Sequence, residues 1–367
     1  RLNNNINGNI YGIYAKNKVG EIKDTNVILK DFKIIDGSLY SIFLDGGKGD
    51  DVKIDTLNTI ISGVNTSKIT GDVYGLHTFQ TEASVNNAVM TINGGTFGGN
   101  LFNVEVAGDS TISTGNKNVK NNTLNIHATT GDFILNTTNK NIYNIKLGKD
   151  NIIASNNTIN IIDNITYKVV TGAENFKNNI YGVYIDKNAI RVQSAEYKSN
   201  EITIDLINTN SILNSNIYSI YVDNVNTIIS SNTVSIKNGV IRGNIYSGYT
   251  SGSGKIDGNK VEISGSSLVN VDIEGDIYAT YINSESNTNG SGLISGNISS
   301  VDINDNNVVF PLPTFPTIPI FSPLLIVIFI FFMAKKRCGQ PPYKNDNSLI
   351  DSRCKNIKNF MHPDIFL

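Results

Sequence analysis

The first 307 residues contain no cysteine, no proline and no tryptophan, and the whole chain of 367 has no tryptophan. Without cysteine, no disulfide can staple this region. Without proline, no kink is imposed and no strand is deprived of a hydrogen-bond donor. Charge is sparse: 30 basic against 32 acidic side chains, net −2. A chain with no polycationic face is not built for nucleic acid. The three histidines, His77, His127 and His362, are isolated. No paired Cys or His spacing points to zinc, and neither a G-x-S-x-G nor a phosphate-binding loop is present. No cofactor and no metal are implied.

What is present is asparagine: 55 residues, about 15% of the chain, far above ordinary usage. Together with Gly, Ser, Thr, Ile and Val it suits many short strands joined by turns. Composition changes near residue 308. All 8 prolines lie at or beyond Pro311, and both cysteines, Cys338 and Cys354, lie there too. Residues 1–307 carry 23 basic and 29 acidic groups, the last 60 residues 7 and 3. The chain opens on Arg1 inside a repeat-like stretch and reads as a fragment.

Self-similarity is the strongest signal. A box of the form aliphatic–aromatic recurs as "GNIYGIYAKN", "GSLYSIFLDG", "GDVYGLHTFQ", "NNIYGVYIDK", "SNIYSIYVDN", "GNIYSGYTSG" and "GDIYATYINS". Its first aromatics are Tyr11, Tyr40, Tyr74, Phe102, Tyr143, Tyr181, Tyr218, Tyr246 and Tyr278, spaced 28 to 41 residues apart. The boxes hold 13 of the 16 tyrosines, so the aromatic content follows the repeat. "GDFILNTT" at Gly131 reads as a degenerate extra box. A second element precedes most boxes: "NNAVMTIN" at 86, "NNTLNIHA" at 121, "NNTINIID" at 156, "SNEITIDL" at 199, "SNTVSIKN" at 231 and "GNKVEISG" at 258. Its period-2 alternation marks a half-buried strand.

A unit of about 30 residues with two or three short strands cannot bury its apolar face alone, but stacked on copies of itself it can. The expected fold is therefore all-β: a right-handed parallel β-helix, or β-solenoid, of about nine coils over residues 1–307. Aliphatics (Ile180, Ile217, Ile245, Ile277) should face inward. Asn should stand at corners, where it tolerates left-handed backbone angles and can bond to the next Asn. Tyr11, Tyr40, Tyr74, Tyr143, Tyr181, Tyr218, Tyr246 and Tyr278 should form an outward ladder. Strict alternation in "VIRGNIYSGY" places Tyr249 on the Ile245 face and Tyr246 on the other.

The unit "SNTVSIKNGVIRGNIYSGYTSGSGKIDGNKVEIS" resembles the passenger repeats of bacterial autotransporters, "N-x-V-x-I…V-x-G-N-V-Y-G-G-Y", over about residues 5 to 307. The resemblance implies an upstream signal peptide, a passenger exposed at the cell surface of a Gram-negative bacterium or released outside it, and a C-terminal outer-membrane barrel. A cysteine-free body fits, since an early disulfide would hinder passage through a pore. The last 60 residues cannot supply a closed barrel of many strands, so the chain corresponds to a passenger piece. The partners this implies are a host-cell or glycan receptor, or a second copy of the rod.

The tail divides into 308–334, Pro-rich and apolar, and 335–367, basic, polar and expected to be disordered. The clean apolar run, Leu324 to Ala334, spans about 16 Å as a helix against a hydrocarbon core of about 30 Å. Only with Ile318 to Ser322 does it make a marginal single span, so membrane contact is confined to 318–334. Three readings stand: an out-of-frame end of a longer gene, a membrane anchor, or an apolar tail without a role.

Rival chemistry is thin. Gly46-Gly47-Lys48-Gly49-Asp50-Asp51 resembles one copy of the calcium-binding nonapeptide of β-rolls, with Lys53 where a large apolar residue belongs; a single copy leaves the ion's oxygen shell incomplete. A polysaccharide-degrading β-helix enzyme needs clustered acids on one face, and here Asp45, Asp50, Asp51, Asp186, Asp223 and Asp276 are scattered. Asp186 and Asp223 follow their boxes at equivalent positions and should lie one coil apart. His77 falls at an aromatic position of its box and is expected to be a ladder residue. The expected protein is non-catalytic, a surface adhesin-like passenger. The alternatives are the degrading enzyme and a membrane-anchored surface protein.

Overall fold

The computed structural model describes residues 5–16, 20–46, 51–79, 82–107, 117–135, 139–148, 152–162, 178–186, 196–208, 211–223, 227–251, 254–264, 271–282, 293–295 and 298–302. The chain divides into two units, Arg1–Pro311 and Leu312–Leu367, and all described residues lie in the first. The tail, the segment 47–50, His362 and both cysteines lie outside the described residues.

Every regular element among the described residues is a strand, and every strand pairing is parallel and joins one repeat to the next. The protein is a parallel β-solenoid with three walls. The box wall is one nine-stranded sheet: Ile10–Lys16, Leu39–Asp45, Val73–Phe79, Leu101–Val106, Ile142–Leu147, Asn178–Ile185, Ser215–Val222, Ile245–Thr250 and Ile277–Ile282. The first aromatics pair in register along it, Tyr143 with Tyr181, Tyr181 with Tyr218 and Tyr218 with Tyr246. The second wall carries the Asn-led strands. "NNTINI" and "SNEITI" are neighbours there, with Thr158 opposite Glu201 and Ile159 opposite Ile202. The third wall begins as a five-stranded sheet from Asn5–Asn7 to Phe133–Leu135. Phe133–Leu135 pairs with Gly95–Phe97, so the "GDFILNTT" stretch is a third-wall strand and not an extra box.

Corners are made as the composition suggests. Asn87, Asn121, Asn156, Ser199, Ser231 and Gly258 all hold φ between 55° and 62°, the left-handed region that Asn and Gly enter most readily. The alignment of "NNAVMTIN" needs correction by one residue. Thr123 pairs with Val89 and Leu124 with Met90, so Asn87 takes the corner and Ala88 the inward position after it. A one-residue slip would have turned Met90 out of the core.

The residue after each corner points inward. Asn122, Asn157, Asn200, Asn232 and Asn259 are fully buried and form a ladder. Each of the first four donates both its backbone N–H and its side-chain amide to Oδ1 of the next, the amide bonds being 2.9 Å. Facing it from the box wall are Asn103, Asn144, Ser219 and Ser247, all buried. Ser219 Oγ donates to the Asn200 carbonyl at 2.8 Å and Ser247 Oγ to that of Asn232 at 2.6 Å. Asn144 Nδ2 donates to the carbonyls of Asn122 and Thr158.

This polar seam splits the apolar interior into two columns. One holds Leu101, Ile142, Ile180, Ile217 and Ile245 with Ile159, Ile202 and Val234; the other holds Val104, Ile145, Val183 and Ile220 with Val119, Ile229 and Ile256. Ile180, Ile217 and Ile245 are fully buried as expected, whereas Ile277 is half-buried. Toward the N-terminal end Leu57 and Ala88 take the ladder position, and there Ser41 Oγ is buried without a hydrogen-bond partner.

Candidate functional site

The box wall carries the aromatic residues, and the bend in each box decides where they point. Strand pairings skip the residue after the first aromatic, passing from Tyr218–Tyr246 to Ile220–Gly248 and then Tyr221–Tyr249. That skipped residue and the next both face the interior, as buried Ser247 and Gly248 show. Strict alternation therefore fails at this point. The second aromatic returns to the face of the first, three residues on, and Tyr249 lies edge-on to Tyr246 at 5.6 Å. The assignment of Tyr249 to the Ile245 face is corrected: the crowded bend shifts the phase by one residue.

Two aromatic columns result. The first runs Tyr11, Tyr40, Tyr74, Phe102, Tyr143, Tyr181, Tyr218, Tyr246, Tyr278, with neighbouring rings stacked 4.6–5.1 Å apart. The second runs Tyr14, Phe43, His77, Glu105, Lys146, Tyr184, Tyr221, Tyr249, Tyr281. The columns meet edge to face, as between Tyr218 and Tyr221 at 5.3 Å and 89°. Offset and perpendicular contacts are the arrangements that the ring quadrupole favours.

Stacking changes what the wall offers. Tyr74, Phe102, Tyr143, Tyr181 and Tyr246 keep only 3–8% of their surface exposed, although they lie on the side of the sheet opposite the core. Their faces are covered by the rings above and below. At the N-terminal end Tyr11 and Tyr14 remain 40% and 51% exposed. The expected ladder exists with all eight tyrosines in it, but along its middle it presents ring edges and hydroxyls rather than open faces.

Several hydroxyls of the first column have defined partners in their own boxes. Asn9, Asn141 and Asn244 donate to Tyr11, Tyr143 and Tyr246, while the hydroxyls of Tyr74 and Tyr278 donate to Asp72 and Asp276. The same polar residue two before the aromatic also receives a backbone N–H from its counterpart in the next repeat, as in Asn141 N to Asn100 Oδ1 and Asn244 N to Asn216 Oδ1, both 2.9 Å. The glycine that often leads the box is required by close approach: a Cβ on Gly37, Gly71, Gly99 or Gly275 would meet the backbone of the preceding repeat. Burial pushes the phenols up from 10, Tyr184 to about 12 and Tyr181 and Tyr218 further.

In mid-column the aromatics give way to charge. Glu105, 6% exposed, receives Lys146 Nζ on Oε1 at 2.8 Å and shares a 2.6 Å hydrogen bond with His77 Nδ1 on Oε2. Desolvation opposes ionisation of this carboxyl, but the His77 hydrogen bond and the Lys146 charge outweigh it and hold it below the usual carboxylate range. The Lys146 ammonium also lies 5.2 Å from the centre of the Phe102 ring, within cation–π range. His77 is thus a column residue, as its box position suggested. The Glu105 site escaped sequence reading because its three members, His77, Glu105 and Lys146, come from three different repeats; the only sign was a non-aromatic residue at the second aromatic position.

Asp186 and Asp223 follow paired residues, Ile185 and Val222, and lie one rung apart; Asp223 also accepts from Ser251 Oγ at 2.5 Å. Gly46 and Asp51 flank the undescribed 47–50 segment. No family model matches the chain, and no curated protein or solved structure does.

Proposed function

We propose that the chain is a non-catalytic, adhesin-like passenger piece of an autotransporter, displayed at the surface of a Gram-negative cell or released from it. The observation that supports this best is the box wall: nine repeats of one short motif, stacked in register over a body free of cysteine. In this reading the nine strands mark nine coils of a rod, wound right-handed as parallel crossovers are. Such a rod extends a surface away from its anchor at one rung per repeat, about 4.8 Å each. Its partner is a host-cell or glycan receptor, or another rod. It meets ring edges, tyrosine hydroxyls and the connecting loops, each a weak contact whose effect accumulates along the rod.

The test is display. Residues 1–307 are fused between a signal peptide and an outer-membrane barrel in a Gram-negative host, and surface exposure and adhesion to cells and immobilised glycans are measured. Surface display with adhesion above that of the barrel alone supports the reading; a passenger that stays inside the cell or does not adhere overturns it. The enzymatic alternative rests on Asp186 and Asp223 lying on adjacent rungs. Release of sugars from a polysaccharide by the purified repeat region, lost in Asp186→Asn and Asp223→Asn, would establish it instead.

A further inference from the structure

Residues 1–307 lack the side chains that usually take up oxidising equivalents. They contain no cysteine and no tryptophan, and their single methionine, Met90, is fully buried. Cysteine and methionine are the ordinary sinks of protein oxidation; here tyrosine is the readily oxidised group that remains. The tyrosines are placed for a particular outcome. Tyr184, Tyr221, Tyr249 and Tyr281 are consecutive members of the second column, paired rung to rung. Their rings stack at 5.2, 4.5 and 5.3 Å with planes within 9° of parallel. All four are half-buried rather than buried, so an oxidant reaches their edges, where the carbons ortho to the hydroxyl lie.

We propose that this column is a site of oxidative cross-linking, in which Tyr221 and Tyr249 couple to a dityrosine that joins adjacent rungs of the solenoid. The oxidant is of the peroxide class, acting through a haem peroxidase as a one-electron acceptor. Each phenol loses one electron and its hydroxyl proton. The two phenoxyl radicals join through one ortho carbon of each ring, and the hydrogen on each of those carbons then passes as a proton to that ring's oxygen, which restores both hydroxyls and the aromaticity. In sum, two tyrosines and one hydrogen peroxide give one dityrosine and two waters, and the chain loses two hydrogens. The pair at 4.5 Å has the shortest ring separation in the column, and parallel in-register strands hold it together without any search. The link spans 28 residues of sequence and does for this wall what a disulfide does in a cysteine-bearing protein. Linking along the column cannot pass Tyr184 toward the N-terminus, because Lys146 and Glu105 occupy the two positions beyond it.

The purified chain is treated with a haem peroxidase and limiting hydrogen peroxide, folded and in urea, and the monomer is recovered. The folded monomer should show dityrosine fluorescence, a mass lower by two hydrogens per link, and a cross-linked peptide pair containing Tyr221 and Tyr249. Tyr249→Phe should remove most of that product. Phenylalanine already occupies the column at Phe43, and circular dichroism checks that the variant folds. The proposal is overturned if the folded monomer yields no more intramolecular dityrosine than the urea-unfolded chain. It is equally overturned if coupling occurs only between molecules, or if folded Tyr249→Phe forms the same links in the same yield.

Discussion

Asn157 directs two donors at one atom of Asn200: its backbone N–H at 3.2 Å and its side-chain amide at 2.9 Å both reach Oδ1. Asn200 repeats the arrangement onto Asn232. Each ladder residue therefore satisfies a backbone group that the left-handed corner has removed from regular strand pairing. Asn200→Ala leaves the Asn157 N–H buried without its acceptor. An orphaned buried donor costs about 1–3 kcal/mol, and the lost side-chain bond adds to this, so a loss of about 2–4 kcal/mol is expected. Urea unfolding followed by circular dichroism measures it; a loss below about 0.5 kcal/mol would show that the ladder is not needed.

The corner residue one position earlier behaves differently. Asn156 holds φ 57° and is exposed, so its requirement is conformational. Asn156→Gly should be near neutral, as Gly258 fills the equivalent corner natively with φ 62°. Asn156→Val should cost about 1–2 kcal/mol, since a left-handed angle brings a branched Cβ against the carbonyl. The ranking Gly, Asn, Val in thermal midpoint checks this.

In the first aromatic column, ring and hydroxyl separate cleanly. Tyr181→Phe keeps the stack and should change stability by less than about 1 kcal/mol, whereas Tyr181→Ser opens a gap between Tyr143 and Tyr218 and should cost about 3 kcal/mol. The triple replacement of Tyr181, Tyr218 and Tyr246 by Phe, compared with the single changes in an adhesion assay, then shows whether hydroxyl edges touch a partner. Folded triple-Phe protein that adheres like the parent would place the contact in the loops.

The phenols also set an alkaline limit. Burial raises Tyr184 to about 12 and pushes Tyr181 and Tyr218 higher, from 10. Above pH 10 the unfolded chain releases these protons while the folded one retains them, so stability falls with rising pH. It should be complete below about pH 10 and fall steeply as the pH approaches 12. Most of the rise in phenolate absorbance should accompany loss of the β-sheet signal; ionisation of all the tyrosines near pH 10 with the fold intact would contradict the buried stack.

At the charged break, Glu105→Gln keeps the shape but removes the partner of Lys146 Nζ, 2.8 Å away. Breaking a buried pair costs about 3–5 kcal/mol. Lys146 retains 29% exposure, so about half of that is expected. The Glu105 carboxyl is held low, so this contribution is present above the unfolded carboxylate value and is lost as the pH falls through the folded one. Parent and variant should therefore converge in stability in acid, as read by urea titration at several pH values.

The repeat was legible because a solenoid writes its geometry into a one-dimensional period. One box per rung fixes the parallel stacking, the inward Ile180, Ile217 and Ile245, the corner asparagines and the aligned tyrosines, since each depends only on local alternation and on identical neighbours. What required the tertiary structure were relations that local alternation does not contain. The bend at Ser247–Gly248 turns two successive residues inward and returns Tyr249 to the face of Tyr246, which no period-2 pattern can show. The polar seam joins Ser219 on one wall to the Asn200 carbonyl on another, across an interior that only closure of the coil creates. The covering of each ring by its neighbours, which makes outward-lying tyrosines nearly inaccessible, arises only when rungs lie a strand spacing apart. The Glu105 cluster gathers His77 and Lys146 from repeats 28 and 41 residues away, because stacking converts sequence distance into contact.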